Sequence, residues 1–295
     1  MTRRILLVTH ANRPDLPALA TEVATQLRHH DIEVHELEQG WDSLEDDPEV
    51  AALAAHSELV VVLGGDGSIL RGAEVSRGAG IPLLGINLGR VGFLAEAERE
   101  QTSQVVERIV DRDYTIEERM TLEVDVYQNG RHVDHTWALN EASVEKSARE
   151  RMLELTVEID GRPLSTWGCD GVVVATPTGS TAYAFSGGGP IVWPDVQALL
   201  VVPISAHALF ARPVVLGPDT RVAVEVVRHA TTQGVMWCDG RRTVDLPPGA
   251  RIEVRRSDTP VRLARLTSDP FTDRLVAKFE LPVAGWRGKP DGTRP

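Results

Sequence analysis

Short runs made wholly of apolar residues, alternating with longer segments of helical spacing, leave few folds open to residues 1–118. Ile5–Val8 and Val60–Leu63 carry no polar side chain. Neither face of such a strand suits water, which is the pattern of a parallel sheet covered by helices. Leu16, Leu19, Val23 and Leu27 recur at helical steps, and Pro48 opens a second short helix, a position where its missing N–H costs nothing. IEVHEL and IPLLGIN read as further strands and QTSQVVERIVDRD as another helix.

After residue 118 the rhythm changes. Asn129-Gly130, Asp160-Gly161, Pro218-Asp219, Asp239-Gly240 and Pro248-Gly249 punctuate runs such as RVAVEVV and RIEVRR, in which polar and apolar residues alternate. Alternation of period two marks strands with one face in a core, and the turn pairs join them as hairpins. The expected fold is an α/β N-terminal domain with a parallel sheet, residues 1–118, followed by a β-rich antiparallel domain, residues 119–272. Residues 273–295 form a C-terminal segment whose end, GWRGKPDGTRP, is expected to be poorly ordered.

Charge and cysteine usage narrow the partners. With 31 basic and 43 acidic residues the formal charge is −12, the reverse of a duplex-binding protein. A phosphate ligand then needs locally gathered cations or a metal ion. Cys169 and Cys238 form no CxxC pair, so a reducing, cytoplasmic setting is expected. The least charged stretch, residues 196–211, is too short and too polar to span a bilayer, and the first apolar run is shorter than a secretory leader requires.

The run Val60–Leu63 stops at Gly64-Gly65-Asp66-Gly67. Asp-Gly is a favoured hairpin pair, but a hairpin needs a second alternating strand, and SILRGAEVSRG instead repeats at helical steps. Strand, glycine loop and helix place this segment at the carboxyl edge of a parallel sheet, where ligands bind. Glycines let backbone amides close on a phosphate, and a helix N-terminus adds oriented N–H donors. A carboxylate in such a cradle repels phosphate. It must accept from a hydroxyl or hold a bridging cation, and both are roles in phosphoryl transfer to an alcohol. GxxxxGK[ST], GxGxxG, the protein-kinase motif set, GxSxG and HExxH are all absent.

WALNEASVEK (137–146) and GCDGVVVATPTGSTAYAFSGGGP (168–190) form a second constellation. Asp170 again sets a carboxylate beside glycine. Thr176, Thr178, Ser180, Thr181 and Ser186 crowd hydroxyls among glycines. Thr178 or Ser180 is placed to cap a helix through TAYAF, although a glycine-rich connection with one capping hydroxyl accounts for the same residues. Tyr183 suits a base stack or a core position equally. Asn140-Glu141 joins an amide able to read a base edge to a carboxylate able to hold a ribose hydroxyl.

Taken in order, LGGDGSILRGA, GINLGRVGFLAE, ALNEASVEK and GCDGVVVATPTGSTAYAFSGGGP resemble the NAD kinase family over nearly the whole chain. GGDG alone also resembles loops of diacylglycerol kinases, sphingosine kinases and phosphofructokinases. The resemblance implies phosphorylation of the 2′-hydroxyl of the adenosine ribose of NAD to give NADP. It implies ATP or inorganic polyphosphate as donor and a divalent cation, Mg2+, as cofactor. It implies Asp66 as catalytic base and Gly64, Gly65 and Gly67 as the phosphate-donor loop. NAD contacts are implied for Asp66, Gly67, Arg71, Asn140, Glu141, Arg151 and Asp170, and for the run Thr181, Ala182, Tyr183, Ala184, Phe185 and Ser186. The resemblance also implies a homotetramer or homodimer with the β-rich domain in its interface; neither nucleic acid nor membrane is an expected partner. Some members carry a basic residue just before the second aspartate, where this chain has Gly168 and Cys169. Compensating charge is then sought at Arg149, Arg151 or Arg162.

Two other readings share parts of this pattern. A diacylglycerol- or sphingosine-type lipid kinase would need an apolar entry surface or an amphipathic segment. A non-catalytic dinucleotide-binding protein would have no use for Asp66. His132 and His135 read as solvated residues near a hairpin without a metal role, and the Cys169-Asp170-Gly171 and Cys238-Asp239-Gly240 repeats as two local turns.

Overall fold

The computed structural model describes residues 2–10, 16–39, 47–87, 92–98, 101–148, 151–267 and 269–283. Two compact units emerge, Met1–Glu118 with Arg262–Pro295, and Arg119–Val261.

The first unit is built on β1 (Arg3–His10), β2 (Ile32–Gln39), β3 (Leu59–Leu63), β4 (Leu83–Asn87), the two-residue β5 (Ala97–Glu98), β6 (Thr115–Arg119) and the late strand β19 (Val261–Arg265). Their order is β2-β1-β3-β4-β19-β6, with β5 beside β4. The pairs β1/β2, β1/β3, β3/β4 and β4/β19 are parallel. Every residue of β3 and β4 is buried, as the apolar runs Leu59–Leu63 and Leu83–Ile86 require of central parallel strands, and the polar Asn87 is buried with them. The helices are α1 (Leu16–His29), α2 (Pro48–Ala55), α3 (Asp66–Ala79), α4 (Thr102–Asp111) and α6 (Phe271–Phe279). The apolar stripe of α1, with Leu16, Leu19, Val23 and Leu27, enters the same core as Val105, Val106 and Ile109 of α4. Asp47 caps α2 by accepting the Glu49 N–H at 2.8 Å, with Pro48 at the first turn.

Residues 262–272, which the sequence reading placed in the second domain, belong to the first unit. Leu263 pairs with Leu83, Ala264 and Leu266 join the first core, and Phe271 and Phe279 of α6 lie 5.8 and 6.0 Å from the Phe93 ring. The reason for the difference is that a five-residue strand's pattern reports its own burial and not the identity of its neighbours. The terminal stretch expected to be poorly ordered lies outside the described residues.

The second unit carries β7 (Leu122–Gln128), β8 (Arg131–Ala138), β9 (Glu141–Lys146), β10 (Leu153–Ile159), β11 (Arg162–Cys169), β12 (Gly171–Ala175), β13 (Leu199–Ile204), β14 (Val214–Leu216), β15 (Val222–Val226), β16 (Gly234–Cys238), β17 (Arg242–Leu246) and β18 (Arg251–Arg256). They form two six-stranded sheets, β11-β10-β15-β18-β7-β8 and β14-β13-β12-β9-β16-β17. Both are antiparallel throughout. The inward residues share one core that includes Val124, Trp167, Val174, Met236 and Ile252. Asn129-Gly130 and Asp160-Gly161 hold φ at 52° and 74°, and at 50° and 74°, the positive values a two-residue type I′ hairpin demands. The outer face of the second sheet is covered by the chain after β12. There Ala184, in the one-turn α5 (Tyr183–Ser186), packs on Val173, Ala175, Leu200 and Val202. The expected fold class holds in both units.

Candidate active site

In the first unit the apolar strand β3 delivers the chain to the glycine loop. Gly64 N–H donates to Ile86 O at 3.0 Å, and any Cβ at Gly64 would collide with the Ser68 side chain. Gly65 is the N-cap of α3 and supplies no side-chain cap. A Cβ at Gly65 or Gly67 would meet nothing within 4 Å, so among the described residues no neighbour requires these two to be small. Their glycine character leaves open space beside the N–H groups of the first turn of α3, which is how a helix start admits an anion. Farther along, a Cβ at Gly72 would strike Val62 and Leu83, so α3 lies tightly on the sheet.

Asp66 is the first residue of α3 and is half-buried. Its Oδ2 accepts the Phe93 N–H at 3.0 Å and its Oδ1 accepts the Leu94 N–H at 3.1 Å. A Cβ at Gly92 would overlap the same carboxylate. The second quoted motif, GINLGRVGFLAE, therefore serves to aim Asp66; its residues 88–91 lie outside the described residues. Both oxygens are oriented, and each has lone-pair capacity beyond its one bond to a described residue. Arg71, one turn farther along α3, is half-buried.

The segment that holds Asp66 is itself braced. Glu96 Oε1 accepts from Arg274 Nη2 at 2.6 Å and from Arg265 Nη1, while Oε2 accepts the Leu266 N–H at 3.0 Å. Arg274 Nη1 donates to Ala95 O at 2.7 Å. The Glu96 side chain is 1% exposed. Beside this network lies a cavity of about 290 Å³ lined by Asn87, Gly92, Glu96, Gln101 and Arg274, among others.

In the second unit the Asn140-Glu141 pair is clamped from two sides. The buried Asp239 carboxylate accepts the N–H groups of Leu139, Asn140 and Glu141 at 2.9, 2.7 and 3.3 Å. Arg242 Nη2 bonds the same carboxylate at 2.9 Å and the guanidinium lies 4.5 Å from the Trp137 ring centre. On the other side, Thr176 N–H donates to Asn140 O at 2.9 Å, Thr176 Oγ1 donates to Leu139 O at 2.6 Å and accepts the Gly179 N–H at 3.1 Å. A Cβ at Gly179 would run into the Asn140 backbone, 2.8 Å from its Cα.

Glu141 is the electrostatic anomaly of this region. Burial, and then the nearby Asp239 charge, push its carboxyl up to about 8, against a Tyr183 backbone N–H that favours the charged form. Its Oε2 is buried without a hydrogen-bond partner, a condition native proteins seldom leave unresolved. Tyr183 is half-buried, and burial followed by the Glu145 charge raises its hydroxyl above the ordinary tyrosine range.

The hydroxyls around Tyr183 are mostly structural. Ser180 Oγ donates to Val192 O and accepts the Val192 N–H, and Thr178 Oγ1 accepts from Arg119 Nη1. Neither caps α5, whose N-cap is Ala182 without a side-chain bond. The capping expectation fails because both oxygens already serve backbone or guanidinium partners elsewhere. Thr181 and Ala182 are half-buried, Ala184 is fully buried, and Phe185 and Ser186 are exposed.

Asp170 lies at the opposite end of the β9–β12 ladder. The register runs from Ala175↔Glu141 to Gly171↔Glu145, four steps, or roughly 13 Å at about 3.3 Å per residue. Lys146 Nζ pairs with Asp170 Oδ1, and the Lys146 hydrogen bond holds the Asp170 carboxyl below its usual range. Arg151 and Arg162 are exposed, and Arg149 lies outside the described residues. The structure thus gathers Asn140, Glu141 and the Tyr183 backbone at one end of the ladder and Asp170 with Lys146 at the other, while the Tyr183 hydroxyl reaches toward Glu145 near the second end.

Comparison with known proteins decides the family. Residues 5–114 match the model of the ATP-NAD kinase N-terminal domain, and residues 139–266 that of the ATP-NAD kinase C-terminal domain. The chain belongs to the NAD kinase family. A Thermobifida fusca NAD kinase is 58% identical over 301 residues, covering 97% of this chain and 92% of its own length. NAD kinase 2 of Streptomyces coelicolor is 57% identical over 295 residues, 98% of each chain. The fold is shared with the yeast NADH kinase solved with NADH, at a TM-score of 0.81 and 24% identity, over 99% of this chain and 90% of that one. An Archaeoglobus fulgidus NAD kinase solved in complex with ATP gives a TM-score of 0.72 at 26% identity, over 94% and 98%. None of these findings favours the lipid-kinase or the non-catalytic reading. Against this NAD kinase background, sequence reading passed over the Phe93 and Leu94 amides, Glu96 with its arginines, Lys146 and Asp239. Phe93, Leu94 and Glu96 lie inside the quoted GINLGRVGFLAE and Lys146 ends ALNEASVEK, whereas Asp239 showed only in the Cys-Asp-Gly triplet it shares with residues 169–171.

Proposed function

We propose that this chain transfers the terminal phosphoryl group of ATP, or of inorganic polyphosphate, to the 2′-hydroxyl of the adenosine ribose of NAD, producing NADP. The observation that carries this reading is Asp66, with both carboxylate oxygens oriented by backbone N–H groups beside two glycines that meet no described neighbour. A loose phosphoryl-transfer transition state asks for alignment and charge neutralisation more than for a strong nucleophile. Asp66 accepts the ribose hydroxyl, orients it and takes its proton. The N–H groups at the start of α3 receive donor phosphates across Gly65 and Gly67.

NAD is held by Arg71, Asn140, Glu141, Arg151, Asp170 and the run 181–186, with Ala184 contributing backbone only because its side chain is buried. The unpartnered Glu141 Oε2 supports a polar ligand atom at that end. The length of the ladder between Glu141 and Asp170 suits an extended dinucleotide better than a single nucleoside.

The family's divalent cation is Mg2+ in this reading, and it neutralises phosphate charge when bound. Among the described residues the one grouping of three metal-binding side chains is Asp125, His132 and His135. That set is too rich in nitrogen for Mg2+, which takes oxygen ligands and keeps its waters. Mg2+ needs only one or two protein carboxylates beside the donor phosphates, and Asp66 is the carboxylate that would supply one. No described helix is long and apolar enough to cross a membrane. Exposed Met152, Leu209, Phe210 and Val215 of the second unit support a homo-oligomer, and the cytoplasm is its proposed location.

The test is incubation of purified protein with NAD, Mg2+ and each donor in turn, followed by assay for NADP. NADP formation is the expected result. Its absence with both ATP and polyphosphate refutes the reading.

A further inference from the structure

We propose that Asp125, His132 and His135, on the β7–β8 hairpin, form a binding site for a divalent transition metal of the Zn2+ kind, separate from the cation of phosphoryl transfer. Strict strand alternation would send residues 132 and 135 to opposite faces, because their spacing is odd. The ladder departs from it. His135 faces Asp125 and Asp134 faces Val126, but His132 faces Tyr127, so Val133 is an extra residue. This bulge turns both imidazoles to the face that carries Asp125.

The ligand atoms are already near coordination spacing. Asp125 Oδ1 lies 3.0 Å from His132 Nε2 and 2.9 Å from His135 Nδ1, and one ligand atom from each of the three residues falls within 4.8 Å of the others. A tetrahedral ion with bonds of about 2.0–2.1 Å spaces its ligands roughly 3.3 Å apart, so it enters with small side-chain movements. Two imidazoles and one carboxylate suit zinc, nickel or copper rather than magnesium or calcium. The histidine side chains are 49% and 52% exposed, which leaves the remaining coordination positions to water.

The neighbours orient these ligands. Arg255 Nη1 lies 3.6 Å from Asp125 Oδ2 and its Nη2 lies 2.7 Å from Glu123 Oε1, so Oδ1 is left to the histidines. Glu123 Oε1 also lies 3.7 Å from His135 Nε2. A carboxylate on that side favours the tautomer with the proton on Nε2 and a lone pair on Nδ1, as outer carboxylates do for zinc-bound histidines. The Tyr127 ring meets His132 edge-on at 5.3 Å and limits its rotation.

The test titrates tag-free, chelator-stripped full-length protein with Zn2+ in a calorimeter, with millimolar Mg2+ present to block sites built from oxygen alone. One equivalent of Zn2+ is expected to bind. Asp125→Asn, which keeps the side chain's shape, and the double variant His132→Ala/His135→Ala are expected to abolish that event, with unchanged far-ultraviolet circular dichroism. Glu123→Gln, which supplies no coordinating atom but removes the carboxylate facing His135 Nε2, is expected to weaken it about 10-fold. A wild-type titration without this equivalent, or the same isotherm from the double variant, overturns the proposal.

Discussion

The Asp239 carboxylate accepts the Asn140 N–H at 2.7 Å across 99 residues of sequence. The same carboxylate takes the N–H groups on either side of Asn140 and the Arg242 guanidinium. The start of β9, where Asn140 and Glu141 sit, is therefore set by a buried charge in the neighbouring β16–β17 turn. Asp239→Ala removes the acceptor of three backbone donors and takes the carboxylate away from Arg242, whose guanidinium keeps its bond to Trp137 O. Breaking a buried pair costs about 3–5 kcal/mol, and urea denaturation should read a loss of that order. Asp239→Asn keeps the shape but loses the charge, so NAD affinity is expected to fall even where the fold survives. An Asp239→Ala protein with wild-type stability would remove Asp239 from this role.

Glu141 makes stability depend on pH in a defined direction. Its carboxyl sits at about 8 in the folded protein against an ordinary value of 4.5. A raised folded value means that the folded chain keeps the proton longer than the unfolded chain. Its contribution is complete below about 4.5 and is lost as pH rises to about 8, with a slope of up to ~1.4 kcal/mol per pH unit. Glu141→Gln, neutral at every pH, should flatten that part of the profile. Urea midpoints of both proteins across this window check the sign, and parallel curves would contradict it.

How much of this was readable beforehand follows from how local each signal is. The Asn129-Gly130 and Asp160-Gly161 turns were legible because type I′ geometry is written in two adjacent residues. So was the passage from β3 through the glycine loop into α3, where an apolar run gives way to helical steps. Asp66 was legible as chemistry but not as geometry, since its direction comes from amides 27 and 28 residues away. Asp239 read as a turn residue because a turn residue is what it is locally; its partners lie across a sheet. The facing of His132 and His135 depends on one inserted residue, which a period-two pattern cannot announce. For β19, five residues say nothing of which sheet receives them, and burial of the consecutive Leu263, Ala264 and Arg265 breaks any period-two pattern.

Asp66 carries the proposed chemistry and little of the fold. Asp66→Asn keeps an acceptor for one of the Phe93 and Leu94 amides and removes the base. Turnover is expected to fall about 10²- to 10⁴-fold, while NAD binding measured by calorimetry stays near wild type. Near-normal turnover in the mutant would exclude Asp66 as the base.

Two glycine substitutions separate ligand space from packing. Gly67 lies inside α3 and a Cβ there meets none of the described residues within 4 Å. Gly67→Ala should leave the melting temperature unchanged or slightly raised, since alanine favours a helix over glycine by roughly 0.5–1 kcal/mol. If donor phosphates occupy the open space beside Gly67, the same methyl group raises the KM for the donor. Gly179 presents the opposite case, because its missing Cβ points at the Asn140 backbone, which has no rotamer to yield. Gly179→Ala should cost about 1–3 kcal/mol through overpacking and displace the Asn140-Glu141 pair, weakening NAD rather than donor. Melting curves with separate KM values for NAD and donor resolve the two patterns. A Gly67→Ala enzyme with wild-type donor kinetics would place the phosphates elsewhere.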